Sequence, residues 1–301
     1  MVQKSEWGVR GVVMPVITPF KEDLGIDWEG LDKLVEYTIH DMGCAAILPC
    51  GTTGESPTLS HEEHTEVVRF VVDRTAGRIP VIAGTGSNST SEAITLTKAA
   101  KEVGADASLQ VCPYYNKPTQ EGIFRHFKSV SEEADLPIIL YNIPGRTSRN
   151  IEPETTVRLW KEVPQIIGLK EASGDQAKTM EVLRNTDSDT FAVYSGEDIM
   201  TFNLLCLGGA GAIAAVAHVV GKEVKEMCEA VWHGDLERAR KIHFQTIPVV
   251  KALFCEPNPS PVKQALEWMG LPAGPLRSPL LKLSPEGRKV LREALESGGW
   301  L

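Results

Sequence analysis

The segment Ile166-Ile167-Gly168-Leu169-Lys170-Glu171-Ala172-Ser173-Gly174-Asp175 joins a short apolar run to a polar turn. Four apolar residues followed by such a turn are typical of a buried strand that ends near Lys170. Burying an ammonium group without a partner costs free energy and lowers its pKa. A lysine with a lowered pKa attacks carbonyl carbons and forms a Schiff base. The alternative is a strand-end lysine that only reaches solvent.

Eight short β-prone runs alternate with segments of helical periodicity, two of which begin with the capping-box pattern at Ser60–Glu63 and Ser89–Glu92. Eight strand–helix repeats predict an α/β fold, the (β/α)8 TIM barrel. A doubly wound sheet is the alternative, but the ligand loop expected after its first strand is missing. The predicted strands lie near Val12–Ile17, Ala45–Leu48, Val81–Ala83, Ser108–Val111, Ile138–Tyr141, Ile166–Lys170, Phe191–Tyr194 and Ala212–Val216.

The chain after the eighth run has the pattern of helices only, at Gly221–Ala252, Pro261–Met269 and Pro285–Glu296. We expect residues 1–225 to form the catalytic barrel domain and residues 226–301 to form a C-terminal helical extension packed on it. The string from Gly209 to Ala214 resembles a dinucleotide-binding fingerprint, but it precedes a strand and does not open a helix. We interpret it as close backbone packing in the barrel.

Composition excludes several classes of partner. The net charge is −9 and no basic cluster is present, which argues against binding to nucleic acid or to an anionic membrane. No apolar run reaches the roughly 18 residues of a membrane span. Six scattered cysteines without a CxxC pair fit a reducing compartment, so we expect a cytoplasmic protein. The His61–His64 spacing is not that of a zinc site, and we expect no metal.

The C-terminal ends of barrel strands and the loops that follow them build the active site. The GTTGE segment after the second strand suits a carboxylate, because its glycines expose N–H groups and Thr52 and Thr53 add hydroxyl donors. Tyr115 and Tyr141 are phenols able to relay protons. Arg146 is able to bind a second carboxylate through two hydrogen bonds. Taken alone, these features also fit a glycine-rich turn, packing tyrosines and a surface arginine.

The segments GTTGES, PYYN, YNIPGRT, GLKEASGD, YSGED and EPNPSPVK follow one another in this order. Together they resemble the dihydrodipicolinate synthase branch of the pyruvate-dependent aldolase superfamily, which includes N-acetylneuraminate lyase. The resemblance extends from about Gly11 to the C-terminal helices. It implies a (β/α)8 barrel lyase that condenses pyruvate with L-aspartate 4-semialdehyde to 4-hydroxy-tetrahydrodipicolinate, on the pathway to lysine and diaminopimelate.

The resemblance also implies a role for each site residue. Lys170 would form the imine with pyruvate C2, so that neither a metal nor an organic cofactor is needed. Thr52 and Thr53 would hold the pyruvate carboxylate, and Arg146 would bind the carboxylate of the semialdehyde. Ile213 would contribute a backbone carbonyl. The proton relay would consist of Thr53, Tyr141 and Tyr115, with Tyr115 supplied by a neighbouring subunit of a homotetramer built as a dimer of dimers.

Feedback inhibition by L-lysine at a site between subunits is a further implication of the resemblance. The matching polar positions are Ser56, His61, His64, Asn88, Glu92 and Tyr114. Pro57 departs from the small residue expected beside Ser56. Glu92 has a simpler interpretation as part of a capping box, and His61 as a surface residue in the first turn of a helix.

Two other functions fit parts of the pattern. A sister aldolase that acts on another aldehyde, such as an N-acetylneuraminate lyase or a keto-sugar-acid aldolase, would share Lys170 and Tyr141. Arg146 favours the synthase over these enzymes. A non-catalytic barrel that binds pyruvate or an amino acid is the alternative of a different class, and the complete proton relay argues against it.

Overall fold

The computed structural model describes residues 7–301, and within them the eight predicted strands form one parallel sheet. Its strand order is β2-β1-β8-β7-β6-β5-β4-β3, and a parallel bridge between Ile47 and Val81 joins the two end strands. The sheet is therefore closed, which confirms the TIM barrel and excludes the doubly wound alternative. The strands are β1 (Gly11–Met14), β2 (Ala46–Ile47), β3 (Ile82–Gly84), β4 (Ala107–Val111), β5 (Ile138–Asn142), β6 (Ile166–Glu171), β7 (Ala192–Ser195) and β8 (Gly211–Ile213).

Helices follow the strands around the outside of the barrel, and a π-helical turn at Tyr37–Asp41 extends the first of them. No helix among the described residues has both the length and the apolar character needed to cross a membrane. The helices are α1 (Trp28–Glu36), α2 (His61–Thr75), α3 (Thr90–Glu102), α4 (Gln120–Ala134), α5 (Pro144–Thr147), α6 (Pro153–Glu162), α7 (Gln176–Asn185), α8 (Thr201–Cys206), α9 (Ala217–Trp232), α10 (Leu236–Ala252), α11 (Ser260–Trp268) and α12 (Pro285–Gly298).

Only one of the two predicted capping boxes is complete. At the start of α2, the Ser60 hydroxyl accepts a hydrogen bond from the Glu63 N–H, and the Glu63 carboxylate accepts one from the Ser60 N–H. At the start of α3, the Ser89 hydroxyl accepts from the Glu92 N–H, but the Ser89 N–H donates to the Ser87 hydroxyl. The prediction of a second box is therefore wrong, and the Glu92 carboxylate is directed elsewhere.

The helices after β8 form the expected extension, but the continuous helix predicted over Gly221–Ala252 is wrong. Gly234 adopts a positive φ of 80°, and the Asp235 side chain accepts a hydrogen bond from the Arg238 N–H. This glycine ends α9 and this N-cap begins α10. The division expected after residue 225 falls inside α9, and two separate units stay a prediction.

Backbones approach closely where β8 meets β1. Gly211 has a φ of +146°, and a Cβ atom at this position would collide with the carbonyl oxygen of Gly11. Only glycine fits both constraints. The interpretation of the Gly209–Ala214 string as close packing in the barrel is confirmed.

Candidate active site

Lys170 lies next to the last residue of β6, a strand whose six residues are all buried. It is level with Tyr141 of β5 on one side and with Tyr194 of β7 on the other. Only 7% of its surface is exposed. A Cβ atom at Gly196 would lie 2.8 Å from both Cγ and Cε of Lys170, so the missing side chain there leaves room for the lysine stem.

The surroundings of Lys170 favour its neutral amine. Burial lowers the pKa of its ammonium group, the negative charge of Asp198 acts in the opposite direction, and the positive charge of Arg146 lowers the pKa further. The Nζ atom lies 4.3 Å from the centre of the Tyr141 ring, which stabilises the protonated form when it is present. The predicted buried lysine with a lowered pKa is therefore found at the C-terminal rim of the barrel.

A cavity of about 290 Å³ surrounds this lysine. Every catalytic and substrate-binding residue predicted from the sequence lines it, with the single exception of Tyr115. Such proximity is what the predicted roles require, since imine formation needs a carboxylate site and a proton donor near one amine. The predicted residues in the wall are Thr52, Thr53, Tyr141, Arg146, Lys170 and Ile213.

Burial keeps the Tyr141 phenol protonated at neutral pH. Burial raises the pKa of its phenol above the ordinary value, while the positive charge of Arg146 and a hydrogen bond with the Thr52 side chain act in the opposite direction. The hydroxyl therefore keeps its proton and can donate it to an oxygen or nitrogen that gains negative charge.

Tyr115 lies outside this cavity. Its surface is 89% exposed, and its backbone has a positive φ of 67°. The next residue fixes the loop, because the Asn116 side-chain amide donates a hydrogen bond of 2.9 Å to the Asn88 carbonyl. The loop thus presents a phenol to the exterior.

Three further polar residues line the cavity, and the sequence predicted no role for any of them, namely Glu197, Asp198 and Asn258. The Asn258 side-chain nitrogen donates a hydrogen bond of 2.9 Å to the Thr53 hydroxyl. Asp198 lines the cavity with a buried carboxylate. All three belong to segments already quoted, YSGED and EPNPSPVK, in which polar residues near glycine or proline were the available signal.

A second cavity of about 420 Å³ adjoins the first and shares Thr52, Tyr141 and Arg146 with it. Asn88 is not part of its lining, and the carbonyl of Asn88 accepts the bond from Asn116. The other residues predicted for the regulatory site all line this second cavity, namely Ser56, His61, His64, Glu92 and Tyr114.

Glu92 and His64 are two titratable residues in the wall of the second cavity. The Glu92 carboxylate accepts a hydrogen bond from the Ser87 hydroxyl and lies 2.8 Å from the His61 ring nitrogen, and these contacts lower its pKa. Burial lowers the pKa of His64, whose Nε2 lies 2.8 Å from the Gly84 carbonyl. The cavity wall therefore combines the Glu92 carboxylate with the neutral His64 imidazole, and Arg146 lies in the wall shared with the first cavity. Across residues 7–301, no three His, Cys, Asp or Glu side chains are grouped to hold a metal ion.

Comparison with known proteins places this geometry in a family. Residues 8–297 match the model of the dihydrodipicolinate synthetase family. The chain is 50% identical over 293 residues to the 4-hydroxy-tetrahydrodipicolinate synthase of Pseudomonas putida. This match covers 97% of the present chain and 99% of that protein.

Solved structures similar to this one include members of the same family. One is dihydrodipicolinate synthase from Acinetobacter baumannii complexed with pyruvate, with a TM-score of 0.94, 44% identity and coverage of 97% of this chain and 100% of the other. A second, from Cyanidioschyzon merolae with lysine bound, has a TM-score of 0.94, 42% identity and coverage of 97% and 99%.

Proposed function

The chain belongs to the dihydrodipicolinate synthetase family, and we propose that it condenses pyruvate with L-aspartate 4-semialdehyde to 4-hydroxy-tetrahydrodipicolinate through a Schiff base on Lys170. The observation that carries the proposal is the position of Lys170, which is buried in a cavity together with Thr53, Tyr141 and Arg146. Groups that can donate hydrogen bonds to a substrate carboxylate, and a protonated phenol, thus surround one amine of lowered pKa.

The reaction begins when the neutral amine of Lys170 attacks pyruvate C2 and water leaves. Hydrogen-bond donors on the GTTGE loop, including the Thr52 and Thr53 hydroxyls, hold the pyruvate carboxylate and fix the ketone near Nζ. The lowered pKa of Lys170 increases the fraction of amine available at neutral pH.

Carbon–carbon bond formation follows from the imine. A protonated Schiff base withdraws electrons, so the pyruvate methyl group loses a proton and an enamine forms. The enamine carbon attacks the aldehyde of the second substrate, whose carboxylate Arg146 binds at the rim. Tyr141 donates a proton to the oxygen that gains negative charge. The amino group of the adduct then closes the ring and displaces Lys170.

Product formation from the two substrates tests this proposal. We expect the purified chain to consume pyruvate and aspartate semialdehyde together, and the Arg146→Met variant to lose activity mainly through a higher KM for the semialdehyde. Turnover of another aldehyde with none of aspartate semialdehyde would identify a sister aldolase. Absence of turnover with every aldehyde, together with binding of pyruvate, would identify a binding protein.

We also propose that L-lysine inhibits the enzyme from the second cavity, using Ser56, His61, His64, Glu92 and Tyr114, with Asn88 on the loop beside it. The acidic Glu92 is suited to an ammonium group of lysine, and the shared wall at Thr52, Tyr141 and Arg146 supports an effect on the first cavity. The lysine bound in the relative from Cyanidioschyzon merolae supports the choice of ligand.

The Glu92→Gln variant tests the lysine site. We expect calorimetry to detect lysine binding to the unmodified chain and at least 10-fold weaker binding to this variant. The exposed Glu133→Gln variant is the matched control and should bind lysine normally. Full activity of the unmodified chain at millimolar lysine would refute the regulatory proposal.

The proposal also covers the oligomeric state of the enzyme and its location in the cell. We infer a homotetramer built as a dimer of dimers, in which the exposed Tyr115 enters the cavity of a neighbouring subunit. We infer a cytoplasmic location, supported by six cysteines that are all free thiols, a state that a reducing compartment preserves.

A further inference from the structure

We propose that Asp198 is a further catalytic residue, which carries the proton that must move when the amino group of the second substrate displaces Lys170. The inference rests on the proposed function, because only a substrate with both an aldehyde and an ammonium group demands this step. It assigns to one carboxylate a task that the predicted relay of Thr53, Tyr141 and Tyr115 leaves open.

Asp198 shares a cavity with the reacting nitrogen of Lys170. It lies just beyond β7, in the turn that precedes α8, and it lines the same cavity as Lys170. The close approach of Gly196 to the Lys170 stem holds this segment beside the lysine. The charge of each of the two groups also influences the pKa of the other, as expected for neighbours.

The Asp198 carboxylate has backbone amides near it and, within the described part of the chain, one oxygen without a partner. The backbone N–H groups of Ala215 and Val216, just before α9, act to lower its pKa, against the raising effect of burial. Its Oδ1 atom has no hydrogen-bond partner within residues 7–301, although only 7% of the residue surface is exposed. A buried acceptor without a partner costs free energy, and such groups are retained where a ligand or a reaction uses them.

No other group in the cavity is suited to the transfer. A substrate ammonium must lose a proton before its nitrogen can attack, and Nζ must gain one before it can leave. Arg146 has no acceptor. The proposed relay returns a proton to Tyr141 after the aldol step, and a phenol of raised pKa that carries its proton does not accept another. Glu197 also lines the cavity, but it is exposed, whereas Asp198 is buried. Asp198 is therefore the buried acceptor available to the ammonium group.

The step balances with one carboxylate. Asp198 accepts a proton from the substrate ammonium, the neutral amine bonds to C2 of the protonated Lys170 imine, and the C=N electron pair moves to Nζ. Asp198 then gives its proton to Nζ and accepts the second proton of the ring nitrogen. The ring nitrogen lone pair forms the new C=N bond while the C2–Nζ bond breaks, with its electron pair on Nζ.

Lys170 leaves this step as the neutral amine that attacks the next pyruvate. The cyclic product leaves as an iminium ion and loses its remaining proton to water. The proton left on Asp198 is available to the hydroxyl group that departs as water when the next imine forms. Atoms and charge are thus accounted for without a second base.

The Asp198→Asn variant tests the proposal by borohydride trapping and mass spectrometry of Lys170. With pyruvate alone, we expect the variant to give the same trapped imine as the unmodified chain. With pyruvate and aspartate semialdehyde, we expect the larger aldol adduct to accumulate on Lys170 and product release to fall at least 100-fold. Glu197→Gln is the comparison variant and should accumulate no adduct.

The second part of the test uses succinate semialdehyde, which is the same aldehyde without the amino group. It should give the trapped aldol adduct with both the unmodified chain and Asp198→Asn. If circular dichroism shows that the asparagine variant does not fold, Asp198→Ser replaces it. Serine keeps a hydrogen-bonding group at this position, and we expect the same results.

Product release by Asp198→Asn without adduct accumulation would overturn the inference, and so would failure of this variant at imine or aldol formation. The proposed function fails separately, if the unmodified chain itself forms no imine on Lys170 or no product.

Discussion

The side-chain amide nitrogen of Asn258 lies 2.9 Å from the hydroxyl oxygen of Thr53, a residue 205 positions earlier in the chain. The bond joins the C-terminal extension to the loop that we expect to bind the pyruvate carboxylate. Because the amide nitrogen donates, the Thr53 oxygen accepts and its own proton is free for Tyr141 or the substrate. The extension therefore sets the direction in which the predicted relay passes a proton.

Replacing Asn258 by aspartate should reverse this direction. A carboxylate oxygen in place of the nitrogen would accept the Thr53 proton, so we expect proton exchange at the pyruvate methyl group to slow by roughly 10- to 100-fold. The measurement is deuterium incorporation into pyruvate by NMR. Asn185→Asp, on the exposed end of α7, is the control. Equal exchange rates in Asn258→Asp and the unmodified chain would show that Thr53 does not depend on this bond.

The charges beside Lys170 predict that its pKa shifts in opposite directions in two variants. The Asp198 anion raises the pKa of Lys170, so Asp198→Asn should lower it, and the neutral amine should appear at lower pH. The Arg146 cation lowers the pKa, so Arg146→Met should raise it. We expect each shift to be on the order of one unit. The measurement is the rate of borohydride trapping with pyruvate as a function of pH.

The exposed Arg149 provides the control for this pair, and Arg149→Met should leave the profile unchanged. Shifts of Asp198→Asn and Arg146→Met in the same direction would mean that charge does not set the reactivity of Lys170.

The proposed contribution of Tyr115 across subunits predicts complementation. We expect Lys170→Ala and Tyr115→Phe to be weakly active or inactive alone, because each damages every site. A refolded mixture should regain part of the activity, since a mixed pair contains one site with an intact lysine and an intact partner tyrosine. Activity assays on the mixed and unmixed variants check this. No recovery in a mixture shown by mass spectrometry to contain hybrid oligomers would place Tyr115 in its own site.

A buried ion pair supports the carboxylate-binding loop from the extension. The Lys263 Nζ atom lies 2.6 Å from Glu55 Oε1, and both side chains are almost completely buried. Lys263→Met would leave the Glu55 charge without its partner, at a cost of about 3–5 kcal/mol in the free energy of unfolding. The Glu55→Gln/Lys263→Met double variant should recover part of this loss. Urea unfolding provides the measurement.

Lys289→Met is the matched control, because its ion pair with Glu293 lies on the exposed face of α12. We expect a change within about 0.5 kcal/mol there. A Lys263→Met variant as stable as this control would show that the ion pair between Lys263 and Glu55 does not contribute to the free energy of unfolding.

The sequence was sufficient to predict features that depend on neighbouring residues. The run ending at Lys170 and its seven counterparts predicted the strands, and the barrel rule then brought Thr53, Tyr141 and Arg146 to one rim. The bonds from Asn258 to Thr53 and from Lys263 to Glu55 join residues more than 200 positions apart, and no local pattern encodes them. Asp198 was missed for the same reason, since its neighbours Ala215 and Val216 come from the segment between β8 and α9.

Capping patterns show the limit of local rules. Ser60–Glu63 and Ser89–Glu92 have the same spacing, yet only the first forms a box. Glu92 turns toward Ser87 and His61, which are supplied by the preceding loop and by α2. Tertiary partners decide between two arrangements that the pattern alone treats as equal.

Borohydride reduction in the presence of pyruvate is the most direct test of the central claim, that Lys170 forms an imine. We predict a covalent mass increase that depends on pyruvate and that peptide mapping assigns to Lys170. Lys170→Ala should abolish it, while Lys178→Ala, at a half-buried lysine in the first turn of α7, should not. A folded, unmodified chain that gains no mass, or gains it equally at other lysines, would contradict the account.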